Sequence, residues 1–209
     1  MRKAESAYQS IRAHLLAGDL APSEKLTELA WVAELKTGRS AVREALGRLA
    51  GEGLVQRVRA SYRVTAPTPK DIHEFRQLRE IFEIGALRTC GTNGKIPAVR
   101  LKEIRTAAND FAQLSARGYL AGAREADLAF HRALVAAAGN HRLLHLYQAA
   151  NLPLFQTPVG PAGRTLDDYR QTQAEHEAIV ANLEDRRFTQ AITALERHLR
   201  RGENSVLSK

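Results

Sequence analysis

Four residues in the C-terminal part of the chain have the types and spacing of a metal site. Asp127 and His131 are four apart in a segment of helical periodicity, so they share one helix face. His176 has Ile179, Val180 and Leu183 at i+3, i+4 and i+7, which puts it on the apolar face of its own helix. His198, with Leu195 and Ala191 at i−3 and i−7, also faces inward. Three imidazoles and one carboxylate from three helices, turned toward one interior, are how helical bundles build metal centres. The donor set suits Zn2+, Ni2+, Mn2+ or Fe2+, and the sequence does not rank these ions. Taken alone, any one inward histidine reads first as a hydrogen-bonded core residue. His141 and His145 share the i,i+4 spacing and read as surface or packing residues.

A second group is basic. From Lys36 to Arg63 the chain carries seven bases and two acids. Arg39, Ser40 and Arg43 open a segment whose other face is Val42, Leu46 and Leu49, so Arg39 and Arg43 can project together while the apolar side packs inward. An arginine can grip guanine O6 and N7 with two hydrogen bonds, worth about 1–3 kcal/mol of base discrimination. Ser40 can meet a phosphate or base oxygen, and a helix N-terminus itself favours phosphate. Arg57, Arg59 and Arg63 follow on a hairpin-like stretch and can reach the DNA backbone or the minor groove. Each arginine alone reads equally as surface solubility. The ordered set is the stronger signal, and it points to double-stranded DNA.

The elements that must position these groups are readable too. Helical spacing over 5–17 carries Ile11, Leu15 and Leu16 and stops at Gly18, with Pro22 beyond. Thr27 can N-cap a second helix to about Leu35. A break at Thr37-Gly38 precedes a third helix, from about Arg39 to just before Gly53. Strand-like runs at 54–58 and 62–65 flank a turn at Arg59-Ala60-Ser61. Helix, helix, short turn, helix and basic hairpin make a winged helix-turn-helix, with one helix for the major groove. Pro67 and Pro69 mark a boundary, because proline lacks the N–H that an element's interior needs. The predicted organisation is a DNA-binding domain at 1–66, a linker at 67–70, and an all-helical domain at 71–209. In the last, helical periodicity recurs at 70–91, 96–117, 121–138, 140–155, 166–183 and 186–201, with a loop from Thr157 to Gly163. The predicted fold class is mainly α, the winged domain being followed by an all-α antiparallel bundle of about six helices.

Bulk composition narrows the partners. The 209 residues carry a net charge of +8, which attracts polyanions. No apolar run approaches the roughly 18 residues of a membrane span, and the N-terminus lacks the unbroken apolar stretch of a signal peptide. Cys90 is the single cysteine, so an internal disulfide is excluded and a reducing cytoplasm is the expected compartment. Two other classes fit the residues less well. A metal-dependent hydrolase would use the same four ligands, but it needs a general base; Glu177 directly follows His176, about 100° round the helix, and no HExxH pattern is present. A basic membrane-surface or architectural protein would need a long amphipathic basic helix, and none is found.

Residues 11–65 closely resemble the DNA-binding domain of the GntR family. The resemblance rests on Ile11 to Leu26, Leu26-Thr27-Glu28, the run Arg39-Ser40-Ala41-Val42-Arg43-Glu44-Ala45-Leu46, then Leu49 and Glu52-Gly53-Leu54-Val55. It implies DNA contacts at Arg39, Ser40 and Arg43. Gly38 stands where Ser or Thr is usual, Ala41 where Pro is frequent, and Ala60-Ser61 at the wing tip where glycine is usual, implying a tilted or less tight hairpin. Residues 71–201 resemble the FCD ligand-binding domain of the FadR-type branch, through Leu78-Arg79 with Glu83, Asp127-Leu128-Ala129-Phe130-His131, Gly139-Asn140, His176-Glu177-Ala178-Ile179 and His198. Six rather than seven helices would place the chain with the shorter, VanR-like members. The resemblance implies a divalent metal on Asp127, His131, His176 and His198 beneath an effector pocket. It also implies a small organic acid as effector, which completes the metal's coordination with help from a cation. Arg79 is the candidate for that cation, with surface salt-bridging as its alternative. The expected protein is a homodimeric, non-enzymatic regulator, a repressor on a palindromic operator.

Overall fold

Ile11, Val42, Leu46 and Leu49 are wholly removed from solvent, and around them the N-terminal unit is built. The computed structural model describes residues 2–150 and 166–207. Its two compact units meet in the chain between Thr68 and Pro69. In the first, α1 (Arg2–Ala17), α2 (Glu28–Leu35) and α3 (Arg39–Gly51) pack those residues with Trp31, Leu26, Val55 and Tyr62. Burying each large apolar side chain contributes about 1.5–3 kcal/mol. The Thr27 hydroxyl accepts the Ala30 N–H at 3.3 Å, capping α2 as its sequence predicts. Gly38 occupies the N-cap of α3 and offers no side chain for that role. Polar contacts tie α3 to α1: the Tyr8 hydroxyl donates to Glu52 at 2.5 Å, and Arg48 lies over the Tyr8 ring while its Nη1 meets Glu5 at 2.7 Å.

The wing is β2 (Val55–Val58) and β3 (Ser61–Val64), antiparallel, with pairs running from Val55↔Val64 to Val58↔Ser61. The hairpin is therefore not opened by its missing glycine. Arg59 takes φ +55 in the two-residue loop, the left-handed conformation glycine would otherwise supply. A third strand not expected from the sequence, β1 (Lys25–Leu26), pairs with the other edge of β3; two residues are too few to show alternation. α1 starts three residues before the expected Glu5.

In the second unit α4 (Pro69–Arg79) starts inside the expected linker. Proline fits a helix's first turn, where its missing N–H would have no partner in any case. The rod continues through a π-helical turn (Glu80–Ile84) into α5 (Gly85–Thr92). Then come α6 (Ala98–Ala116), α7 (Leu120–Ala136), α8 (His141–Ala149), α9 (Leu166–Glu184) and α10 (Phe188–Leu207). α10 runs past the predicted 201. The end of the predicted 140–155 helix, beyond residue 150, and the loop Thr157–Gly163 lie outside the described residues. Leu87, Ile104, Phe130, Leu134, Ile179, Leu195 and Leu199 form the core of this unit. Among the described residues no strand follows Pro69, and no helix is long and apolar enough to cross a membrane. The chain is mainly α, a small antiparallel wing followed, among the described residues, by helices.

Candidate metal centre and nucleic-acid interface

The four candidate ligands converge. α7 delivers Asp127 and His131, α9 delivers His176, and α10 delivers His198. All are buried, and one ligand atom of each lies within 4.8 Å of all the others. Asp127 Oδ1 is 3.2 Å from His176 Nε2 and 3.5 Å from His131 Nε2, and the Nε2 atoms of His131 and His198 are 3.2 Å apart. Apolar rings fix the imidazoles: Phe130 stacks on His176 with centroids 3.9 Å apart.

Two glutamates with no role expected from their spacing hold the outer edges of the rings. His131 Nδ1 meets Glu83 Oε2 at 2.7 Å, and His198 Nδ1 meets Glu175 Oε2 at 2.7 Å. Each glutamate is itself anchored. Glu83 Oε1 accepts from Arg79 Nε at 2.8 Å and from the Tyr147 hydroxyl at 3.0 Å. Glu175 accepts from Arg201, whose Nη2 also donates to Thr172 at 2.8 Å. Burial pushes the Glu83 carboxyl up, but Arg79 and then His131 outweigh it, leaving its pKa at about 2. For Glu175, burial likewise loses to His198 and Arg201, again at about 2. Both are therefore carboxylates, which can only accept, so each paired Nδ1 carries the proton. In a neutral ring held this way, the inward Nε2 is the lone pair that can face an ion.

That pattern is the test of fit for a cation. The His131 Nε2 lies 3.2 Å from His198 Nε2 and 3.5 Å from the Asp127 oxygen, and His176 Nε2 adds a fourth donor atom 3.2 Å from that oxygen. Burial pushes the His198 pKa down to about 3, against the pull of Glu175. That of His131 is raised: burial and Arg79 oppose its charge, while Glu83 and Asp127 outweigh them. Burial also opposes the Asp127 charge, but His131 and His176 hold its pKa well below the ordinary carboxylate range. The cluster calls for positive charge at its centre. Its N3O donor set, braced from outside by carboxylates, is what a divalent transition ion requires.

Arg79 is not on the surface, as one reading of the sequence allowed; it is 3% exposed and paired with Glu83. Glu177 turns away from the cluster to Arg105, and His141 and His145 are exposed.

On the N-terminal unit, Arg39, Ser40, Arg43, Arg57, Arg59 and Arg63 are all exposed, and none contributes to the apolar core. Arg63 Nη1 donates to the Ser23 carbonyl at 2.9 Å. Arg43 forks onto Glu28, Nε to Oε1 at 2.9 Å and Nη2 to Oε2 at 3.0 Å. Arg48, another base of the same run, is committed to α1.

Known proteins give the same two-part division. Residues 3–61 match the gntR family of bacterial regulatory proteins, and residues 74–201 match the FCD domain. The HTH-type transcriptional regulator LutR of Bacillus subtilis (strain 168) is 29% identical over 157 residues, 67% of this chain and 70% of LutR. A crystal structure from Rhodococcus sp. RHA1, described as a GntR transcriptional regulator, superposes with a TM-score of 0.76 at 22% identity, covering 100% of this chain and 99% of that one. E. coli McbR/YncC superposes with a TM-score of 0.74 at 15% identity, over 99% and 97% of the two chains. With a gntR-type reader at one end and an FCD ligand-binding domain over most of the rest, the chain belongs to the FadR-type branch of the GntR family of transcriptional regulators.

Proposed function

We propose that the protein is a metal-dependent, acid-responsive repressor that binds a palindromic operator as a homodimer. The observation that carries this reading is the buried convergence of Asp127, His131, His176 and His198 in a chain that also bears a DNA reader. Those four side chains would hold the divalent ion, which supplies a Lewis-acidic seat for an anion. Glu83 and Glu175 keep the His131 and His198 rings aimed at it. Arg79, buried beside the cluster and in the field of Asp127, is the cation we assign to the effector's carboxylate. On the reader, Arg39, Ser40 and Arg43 meet base edges, while Arg57, Arg59 and Arg63 follow the backbone or minor groove. Two identical readers match two half-sites, which is why a dimer and a palindrome go together. An effector shifts DNA affinity only as far as it prefers one arrangement of the readers over the other.

The test is a melting series of the full chain against a panel of small carboxylates and sugar acids, metal-loaded and chelated, repeated with His131→Ala. One acid is expected to stabilise only the metal-loaded wild type. If chelation destabilises the fold and no acid shifts the melt, the ion is structural and the acid-sensing reading is lost.

A further inference from the structure

We propose that Glu28 is a specificity-determining residue of the DNA reader, holding the Arg43 guanidinium in the orientation that reads a base. The inference rests on the DNA-reading role proposed for Arg43.

Arg43 stands on the open face of α3 with its side chain 67% exposed, where a long cation ordinarily samples many rotamers. Glu28 is better anchored. It lies in the first turn of α2, behind the Thr27 cap, with its side chain 23% exposed. The two groups meet fork to fork, through Nε–Oε1 at 2.9 Å and Nη2–Oε2 at 3.0 Å. Most surface ion pairs do little, but two parallel hydrogen bonds fix the plane of a guanidinium as well as its position. With Nε and one N–H of Nη2 engaged, the remaining N–H groups of Nη1 and Nη2 point away from Glu28. Such a pair can grip guanine O6 and N7.

The charge setting supports direction over affinity. The Glu28 carboxyl is held below its usual range first by the Arg43 hydrogen bonds, with Arg39 and Arg57 adding their fields. Glu28 is thus an anion among three cations, on a surface assigned to a polyanion. It weakens attraction to every phosphate, whatever the sequence. What it supplies in return is a constraint: Arg43 released from Glu28 can swing to the backbone, a contact that carries no sequence information.

The experiment uses the full chain and a pool of random-sequence DNA duplexes. Duplexes enriched by the wild type are titrated alongside a scrambled duplex, at several salt concentrations, with wild type, Glu28→Gln and Arg43→Ala. Glutamine keeps the shape of Glu28 but loses the charge and one acceptor of the fork. Glu28→Gln is expected to bind the scrambled duplex more tightly and to lose about tenfold of the enriched-over-scrambled ratio, with its melting temperature close to wild type. Arg43→Ala loses the same preference without the gain on scrambled DNA. An unchanged ratio in Glu28→Gln overturns the proposal. So does an equal loss on both duplexes with a lowered melting temperature, which marks a purely structural role. A wild type that enriches no sequence removes the DNA-reading proposal itself, before any variant is compared.

Discussion

The two units place their candidate functional groups differently with respect to their own cores. In the reader, the candidate DNA contacts are all exposed, and the apolar residues beneath them carry the fold. In the helical unit, the candidate ligands are themselves core: His131 and His176 are each 1% exposed and packed against Phe130. Charge follows the same division. The reader presents a run of bases with few acids, whereas the cluster is flanked by matched charges, Arg79 with Glu83 and Arg201 with Glu175. A solvated cation needs no partner until DNA arrives; a buried one must have its partner as part of the fold. Function and stability are therefore separable in the first unit and entangled in the second.

The sharpest break between them is expected at Glu83. Glu83→Ala takes the paired carboxylate from a buried guanidinium and frees the outer nitrogen of His131. Removing one partner of such a pair costs about 3–5 kcal/mol. Arg43→Ala, at an exposed position, is expected to leave stability close to that of the wild type. Urea midpoints for the two variants give the comparison directly. Equal costs would show that the Arg79–Glu83 pair is no more integral than a surface bridge.

Metal removal comes next. An ion present at a hundredfold excess over its Kd stabilises the native state by about 2.7 kcal/mol. Trp31 is the only tryptophan and is buried in the reader core, so its fluorescence follows the first unit alone. Far-UV dichroism is dominated by the long helices of the second unit. Chelation should lower the dichroism melt and leave the fluorescence melt in place, and His131→Ala should abolish the chelator's effect. Both melts moving together would show that the units unfold as one.

On DNA the order reverses. Arg43→Ala should cost about 1–3 kcal/mol of specific binding, read by titrating an enriched duplex. Arg57→Ala and Arg59→Ala should each lower the slope of log affinity against log salt by about one, for all sequences alike. A base-specific loss at either wing position would move that residue from the backbone set to the reading set.

The sequence exposed unequal shares of the two sites. The four candidate ligands are legible because helical spacing phases His176 and His198 against apolar neighbours and puts Asp127 and His131 on one helix face. Glu83 and Glu175 are not, although Glu83 stands in a stretch that resembles the FCD pattern. Their partners lie 48 and 23 residues away, and an acid on a helix otherwise reads as solvated. The π turn leaves no periodic mark, because five residues cannot establish a period. The Arg43–Glu28 fork was hidden for a similar reason: the residues are 15 apart, on two helices whose packing sets the distance. Periodicity shows which way a residue faces. It does not show what faces it.

The smallest effect tests whether the reader's surface is as independent as the comparison holds. Gly38 begins α3 with extended backbone, and a Cβ there would meet nothing within 4 Å. Gly38→Ser would add a hydroxyl able to accept a free N–H of the first turn, a gain of only a few tenths of a kcal/mol, since glycine is itself a tolerable N-cap. Urea unfolding followed by Trp31 fluorescence should show that small rise. The dichroism melt and the response to chelation should stay where they were. A gain above about 1 kcal/mol would exceed what a cap alone supplies. It would mean that the start of the reading helix is under strain in the native chain, and that the exposed face of the reader, like the cluster in the other unit, is held in place at some cost to the fold.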